Sequence, residues 1–539
     1  MAAKKIMIQG TMSNSGKSFL AAALCRIFWQ DGYRTAPFKS QNMALNSYIT
    51  DDGLEIGRAQ AMQAESAGIR PCVEMNPILL KPTSQMGSQV IVNGEVAGNW
   101  KAMDYYRRKP ELIPVIQKAF ARLEEKYEVI VLEGAGSPAE INLWENDIVN
   151  MGMAELVDAP VLLVGDIDRG GVFASLYGTV MLLEPRERAR IRGLVINKFR
   201  GDKKILEPGL RMIEEKLQIP VVGVIPMEEI DLDDEDSLSG RLNQTGRGIV
   251  QEDERKTAAF GEKAGAACLD VAVIRLPHIS NFTDFNVLGR NPDIALRYVE
   301  RAKLLGKPDL VILPGTKNTM ADLAWLREGG LESAILRLEA DGRTSIIGIC
   351  GGYQMLGEWL RDPDGVEGKA GGCMRGIGLL PAETVFAGVK TRTRMKGILS
   401  EKSRMFAGGE EPLSGYEIHM GDTHFSQGMP GEDSCVFQTA GNAAGSCQMM
   451  IGLSDGRWDG MEREDGRVFG SYLHGLFDNE ALTTRLVRSL AGRKGTEPGG
   501  GMMEDVFSYK ERQYDRLADL VRTSLDMERI YGILQESSR

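Results

Sequence analysis

The stretch Ile6-Met-Ile-Gln-Gly10-Thr-Met-Ser13-Asn14-Ser15-Gly16-Lys17-Ser18, running on into Phe19–Trp29, decides the reading of the first half of the chain. Ile6–Gln9 is a short aliphatic run of the kind that forms a buried strand, and Phe19–Trp29 carries a helical pattern. A Gly-rich loop between strand and helix cradles phosphate. Backbone N–H groups from Ser13, Asn14, Ser15 and Gly16 face the anion at the positive end of the helix. Lys17 neutralises phosphate charge, and the Ser18 hydroxyl can hold Mg²⁺. Five residues, not four, separate Gly10 from Gly16, so this P-loop is one residue longer than the usual form.

Other strand ends supply the remaining groups such a site needs. Val129–Leu132 ends at Glu133, where open α/β sheets bind ligands, and a carboxylate there can coordinate Mg²⁺ or simply cap a turn. Asp166 and Asp168 follow Val161–Val164 in a similar position. Lys39 follows the strand Arg34–Phe38 and can steady a carboxylate or a transferred phosphoryl group, or be an ordinary surface lysine. Asn197, after Leu194–Ile196, can pair with a nucleotide base or serve as a turn asparagine.

The second half centres on Ser345-Ile-Ile-Gly-Ile-Cys350-Gly351-Gly-Tyr-Gln354, a strand, a cysteine and small residues opening a helix. Glycines permit the sharp turn, and the helix N-terminus favours thiolate over thiol. The N–H of Gly351 is free to face an oxyanion, and Gly315, after the strand Leu310–Leu313, can add a second donor. His474 follows the strand Val468–Tyr472 and is the expected base for Cys350. His419 is the competing base, for which a structural or substrate-contact role is expected.

The composition fits this outline. The chain has 539 residues, two large domains or about three ordinary ones at roughly 100–200 residues each. Short apolar runs separated by Gly-rich turns and helical patterns predict parallel strands in an α/β fold, as two parallel-sheet domains. The expected boundaries are a P-loop domain over 1–230, a linker or surface loop over 231–267, a second domain over 268–490 and a helical tail over 491–539. A net charge of −11 argues against non-specific nucleic-acid binding. No apolar run approaches the length of a membrane span, and the N-terminus lacks the apolar stretch of a signal peptide, so the chain reads as cytosolic. Seven scattered cysteines without a C-x-x-C pair exclude a disulfide framework and a zinc site. Self-association is left open.

Several long strings carry a family resemblance: Pro37-Phe-Lys39-Ser-Gln41-Asn42-Met43, Glu55-Ile-Gly-Arg-Ala-Gln60, Glu133-Gly-Ala-Gly-Ser-Pro138-Ala-Glu-Ile-Asn142, Gly165-Asp-Ile-Asp-Arg-Gly-Gly171 and Tyr416-Glu-Ile-His-Met-Gly421. Over about residues 4–490 the chain resembles the cobyric acid synthase family of the cobalamin pathway, a dethiobiotin-synthetase-like ATPase fused to a flavodoxin-like class I glutamine amidotransferase domain. The resemblance implies a ligase that uses ATP, Mg²⁺ and L-glutamine to amidate a corrinoid, adenosylcobyrinic acid a,c-diamide, at side chains b, d, e and g. It implies that Lys17, Lys39, Gln41 and Asn42 face the acyl phosphate and substrate, that Ser18 and Glu133 hold the metal, and that Cys350 and His474 release ammonia. Ordinary class I enzymes carry His-x-Glu; here His474-Gly475-Leu476 has leucine in the acid's place, as in the cobyrinate-amidating branch, and what orients His474 stays open. The alternatives are a sister enzyme that amidates only a and c, and a ParA-like switch ATPase carrying an inactive amidotransferase fold.

Overall fold

The structure is a computed structural model that describes residues 3–84, 87–233, 268–368, 370–425, 436–437, 446–499 and 504–536. The linker expected over 231–267 lies almost wholly outside the described residues, as does Cys435. The chain divides into two compact units, Met1–Glu235 with Phe507–Arg539, and Asp236–Val506.

The first unit is built on six parallel strands: β1 (Lys4–Gly10), β2 (Thr35–Phe38), β3 (Val129–Glu133), β4 (Val161–Asp166), β5 (Ile191–Phe199) and β6 (Val221–Pro226). Their order across the sheet is β6-β5-β4-β1-β3-β2. Alternate side chains point to opposite faces of a strand, and here both faces are buried. Ile6, Ile8, Val129, Val131, Leu162 and Val164 join one apolar cluster, while Met7, Ile130, Leu132, Val161 and Leu163 join another. That double burial is why these strands read as continuous aliphatic runs. The helix after β1, α1 (Lys17–Gln30), packs on the first face, and α2 (Arg58–Ser66) lies beside it.

Residues near the C-terminus complete the same face. The helices α3 (Val506–Ser524) and α4 (Met527–Glu536) insert Tyr514, Leu517, Val521, Ile530 and Leu534 into the cluster around Ile6 and Ile8. Of the stretch expected as a tail over 491–539, the part from Phe507 on thus belongs to the first unit and its core, whereas its described residues up to 499, with the end of the helix Glu480–Lys494, belong to the second unit.

The second unit has parallel strands β7 (Leu269–Ile274), β8 (Ile294–Val299), β9 (Leu310–Leu313) and β10 (Ser345–Ile349). Two long strands follow, β11 (Ala382–Leu399) and β12 (Glu411–Phe425), and then β13 (Val468–Ser471). The order β8-β7-β9-β10-β13 is parallel throughout. Beyond β13 the sheet continues antiparallel through Trp458–Arg463 and Cys447–Leu453 to β11, which pairs with β12. The sheet is therefore mixed, and its antiparallel part exceeds what the apolar-run pattern predicts. No helix among the described residues is long and apolar enough to cross a membrane.

Candidate active sites

The loop Gly10–Ser18 leaves β1 and enters α1 at Gly16, whose φ of 94° is left-handed. Gly10 has no room for a side chain: a Cβ would fall 2.2 Å from Ser15 Oγ and 3.0 Å from Lys17 Nζ. Lys17 folds over the loop and donates to the carbonyls of Met12 (2.9 Å) and Gly136 (3.1 Å). Ser13 and Asn14 are exposed at the tip. The Thr11 and Ser15 hydroxyls are buried without a hydrogen-bond partner among the described residues, an arrangement that a bound anion would satisfy.

Four elements meet at one carboxylate. Glu133, 2% exposed at the end of β3, accepts from Ser18 Oγ at 2.8 Å and Lys39 Nζ at 2.9 Å, both at Oε1. Gln63 on α2 donates to its Oε2 at 2.6 Å and to Ser18 O at 3.3 Å. Lys39 is as buried as its partner, so the pair relies on these hydrogen bonds to offset desolvation. A hard cation fits this donor set: one carboxylate, one hydroxyl, and further ligands from phosphate oxygens and water. No group of three His, Cys, Asp or Glu able to hold a metal occurs among the described residues.

Asn197 braces the loop, donating to Ser15 O at 2.9 Å while its Oδ1 accepts from the N–H of Lys198. Lys198 reaches Asn14 O at 2.5 Å and Asp166 Oδ2 at 2.8 Å, so Asp166 holds a lysine here, away from the Glu133 cluster. Gln41 and Asn42 are buried against Tyr105 and Gln60, and none of their described hydrogen bonds reaches Lys17, Lys39 or Glu133.

In the second unit, neighbouring strands β9, β10 and β13 end at Gly315, Cys350 and His474 respectively. Cys350 has φ 53° and ψ −110°, a conformation that costs a non-glycine residue energy and that the surrounding sheet must hold. Its N–H is tied to Ser471 O at 2.8 Å, and its Sγ lies 3.5 Å from Ile418 O. Gly315 sits against the imidazole: a Cβ there would fall 3.2 Å from His474 Cε1. A Cβ at Gly351 would fall 3.1 Å from Thr316 N, so the turn after Cys350 packs on the loop that carries Gly315. As the first residue of a helix, Gly351 has an N–H without an intrahelical partner.

His474 is 1% exposed, and its Nδ1 lies 2.7 Å from Asp284 Oδ2. That bond assigns the proton to Nδ1 and leaves Nε2 for the thiol. Asp284 Oδ1 also accepts from Gly475 N, and Tyr416 stacks on the ring while exchanging both backbone hydrogen bonds with His474. Burial works against the charged imidazole, but the Asp284 carboxylate and the Cys350 sulfur carry its pKa up to about 10. His419 instead stacks on Tyr472 and bonds Gly421 O and Glu417.

Residues 6–237 match the CobQ/CobB/MinD/ParA nucleotide binding domain, and residues 270–482 match the CobB/CobQ-like glutamine amidotransferase domain. The chain is 53% identical to a cobyric acid synthase of Lachnoclostridium phytofermentans, over 99% of both chains. It is 51% identical to one of Ruminiclostridium cellulolyticum, over 99% of this chain and 98% of the relative. The chain belongs to the cobyric acid synthase family. It is a ligase of the glutamine amidotransferase type, with a nucleotide-binding unit and an amidotransferase unit, and its chemistry is amidation in cobalamin biosynthesis.

Three residues of this cobyric acid synthase-family chain escaped the sequence reading. Asp284 stands 190 residues from His474 in the chain, in the turn Phe282–Phe285, with no local pattern to mark it. Gln63 was within reach, three residues beyond Gln60 and so on a neighbouring position of the same helix. Lys198 directly follows Asn197, and its φ of 60° places its ammonium back over the loop.

Proposed function

We propose that the chain converts adenosylcobyrinic acid a,c-diamide to adenosylcobyric acid, forming amides at side chains b, d, e and g with ATP and glutamine at each step. The observation that supports this most is the presence, in one chain, of the Ser18–Lys39–Glu133 cluster beside a phosphate loop and of the Cys350–His474–Asp284 constellation. The second of these weighs against a switch ATPase with an inactive amidotransferase fold.

A carboxylate is a poor acyl donor because oxide would have to leave. In this reading a side-chain carboxylate oxygen attacks the γ-phosphorus of ATP, ADP departs, and an acyl phosphate results. The loop N–H groups and Lys17 hold the transferring phosphoryl group, and Lys39, anchored by Glu133, offsets its charge. Ser18 and Glu133 would hold Mg²⁺, which when bound would add charge neutralisation at the phosphates. Ammonia then attacks the acyl carbon and phosphate leaves.

Cys350 sulfur attacks the glutamine carboxamide carbon, while the N–H groups of Gly351 and Gly315 face the oxyanion. His474, carrying at Nε2 the proton taken from the Cys350 thiol, gives it to the amino group of the tetrahedral adduct, which leaves as ammonia, and the glutamyl thioester forms. His474 then takes a proton from the water that frees the glutamyl thioester as glutamate. Asp284 keeps the Nδ1 proton in place throughout.

The test is mass spectrometry of adenosylcobyrinic acid a,c-diamide incubated with the protein, ATP, Mg²⁺ and glutamine. Each conversion replaces OH with NH₂, and four successive mass steps are expected. An unchanged mass while ATP is still hydrolysed would sink the corrinoid assignment, and amidation of cobyrinic acid instead would point to the sister activity.

A further inference from the structure

A cavity of about 140 Å³ opens beside the phosphate loop, within the first unit. Gly16 and Phe19 at the start of α1 line it, as do Asn197 and Lys198 at the end of β5. Its remaining walls are the end of β6 and the residues just after it, Ile225–Glu228 and Ile230, and the helix α3 through Leu517, Leu520 and Val521. The polar lining is Asn197 and Lys198 beside the loop and Glu228 on the β6 side, where its carboxylate accepts from Arg516; the rest is apolar apart from glycine. Asn197 spends one amide hydrogen on Ser15 and one lone pair on Lys198, which leaves one donor and one acceptor in its inventory. An apolar slot with a few convergent polar groups, adjoining a phosphate cradle, suits a flat heteroaromatic ring.

The α3 wall is firmly built. Arg26 of α1 is buried and bonds Glu511 at 2.8 Å and Asp515 at 2.9 Å. Tyr514 donates to Glu65 of α2 at 3.0 Å, and Arg522 pairs with Asp31 just past α1. At its far end the chain passes so close to β6 that a Cβ on Gly223 would fall 2.3 Å from Leu525 Cδ2 and 2.7 Å from Ser524 O. The N–H of Asp526 donates to Val222 O at 2.8 Å. These contacts hold Leu517, Leu520 and Val521 against the cavity without help from a ligand.

We propose that α3 is a wall of the nucleotide base pocket, and that Leu517, Leu520 and Val521 set how tightly the purine is held. The proposal rests on the reading of Gly10–Ser18 as the phosphate cradle of an ATP site. It makes a segment more than 300 residues beyond β5 in the sequence a determinant of nucleotide affinity.

Leu520 is half-buried, so it can be changed without emptying the core. In calorimetry on the full chain, Leu520→Trp fills the slot and is expected to weaken ATP binding by about tenfold or more. Binding of inorganic tripolyphosphate, which has no base, is expected to stay unchanged. Leu520→Ala removes contact surface rather than blocking it and is expected to weaken ATP by about threefold to tenfold, again sparing tripolyphosphate. An equal loss for both ligands would show that α3 supports the loop and not the base, and would overturn the proposal. ATP affinity untouched in both variants would overturn it as well. Failure of the unaltered chain to bind tripolyphosphate would bring down the phosphate-cradle reading itself, and the proposal with it.

Discussion

In the nucleotide unit the reacting groups come from four elements and meet at one carboxylate, Glu133, whereas in the amidotransferase unit they meet at one imidazole, His474. The Glu133 cluster is a set of exchangeable partners. Two donors share Oε1 and a third takes Oε2, so a cation can replace one of them, or a phosphate can draw one of them away, without leaving the carboxylate bare. The His474 cluster has no such slack. Asp284 fixes one ring nitrogen, Tyr416 covers the ring and grips the backbone, and Cys350 is held in a strained turn. In the proposed mechanism the first arrangement accommodates changing ligands through a phosphoryl transfer, and the second holds a nucleophile and its base in a single geometry.

Four substitutions separate the two designs. Cys350→Ser removes the nucleophile proposed for the second site, and glutamine-dependent amidation should fall by about 10³-fold or more, measured as glutamate release. Amidation fed by ammonium chloride should survive, because the Glu133 site does not depend on the thiol; loss of both would mean the sites are not separable. Glu133→Gln leaves Lys39 buried without its counter-charge and should cut ADP formation by about 10²–10³-fold, read in a coupled assay with corrinoid substrate present.

Asp284→Asn should lower glutaminase turnover by about 10²-fold and change its pH profile. In the intact protein Asp284 helps hold the His474 pKa up to about 10, so the imidazolium that is proposed to protonate the departing amino group persists well above neutrality. Without that carboxylate, burial lowers the pKa, and the alkaline limb of the profile should move to lower pH. A limb that stays in place would show that Asp284 does not govern the proton on His474.

The smallest effect is structural. Asp233 is buried and takes Arg58 at 3.0 Å and Lys510 of α3 at 3.1 Å. Burial alone would raise its carboxyl pKa, but these two cations hold it well below the usual range. Asp233→Asn should destabilise the first unit by about 3 kcal/mol and lower its melting temperature in calorimetry.

These contrasts track how far each site could be read from sequence. Gly10–Ser18 is legible because a phosphate cradle is one continuous turn, and Cys350 because its strand, glycines and helix are also contiguous. Glu133, Lys39, Gly315 and His474 are legible because each follows an apolar run that ends at the same edge of a parallel sheet. Asp284 was hidden because a buried ion pair between distant segments leaves no periodicity behind. Gln41 and Asn42 stand in a specific motif, yet the fold turns them toward Tyr105 and Gln60. The long hairpin of β11 and β12 was also missed. Its Lys390–Arg394 stretch alternates charged and small polar residues on a half-exposed strand, and carries none of the aliphatic density that marks β7 or β10.

The return of α3 and α4 to the first sheet also bears on how the chain is made. Domains usually fold in the order in which they leave the ribosome. Here one face of the first unit's sheet lacks Tyr514, Leu517, Val521, Ile530 and Leu534 until the amidotransferase unit that precedes them in the chain has been made. Of the two units, the one whose strands emerge earlier is therefore the one that closes later.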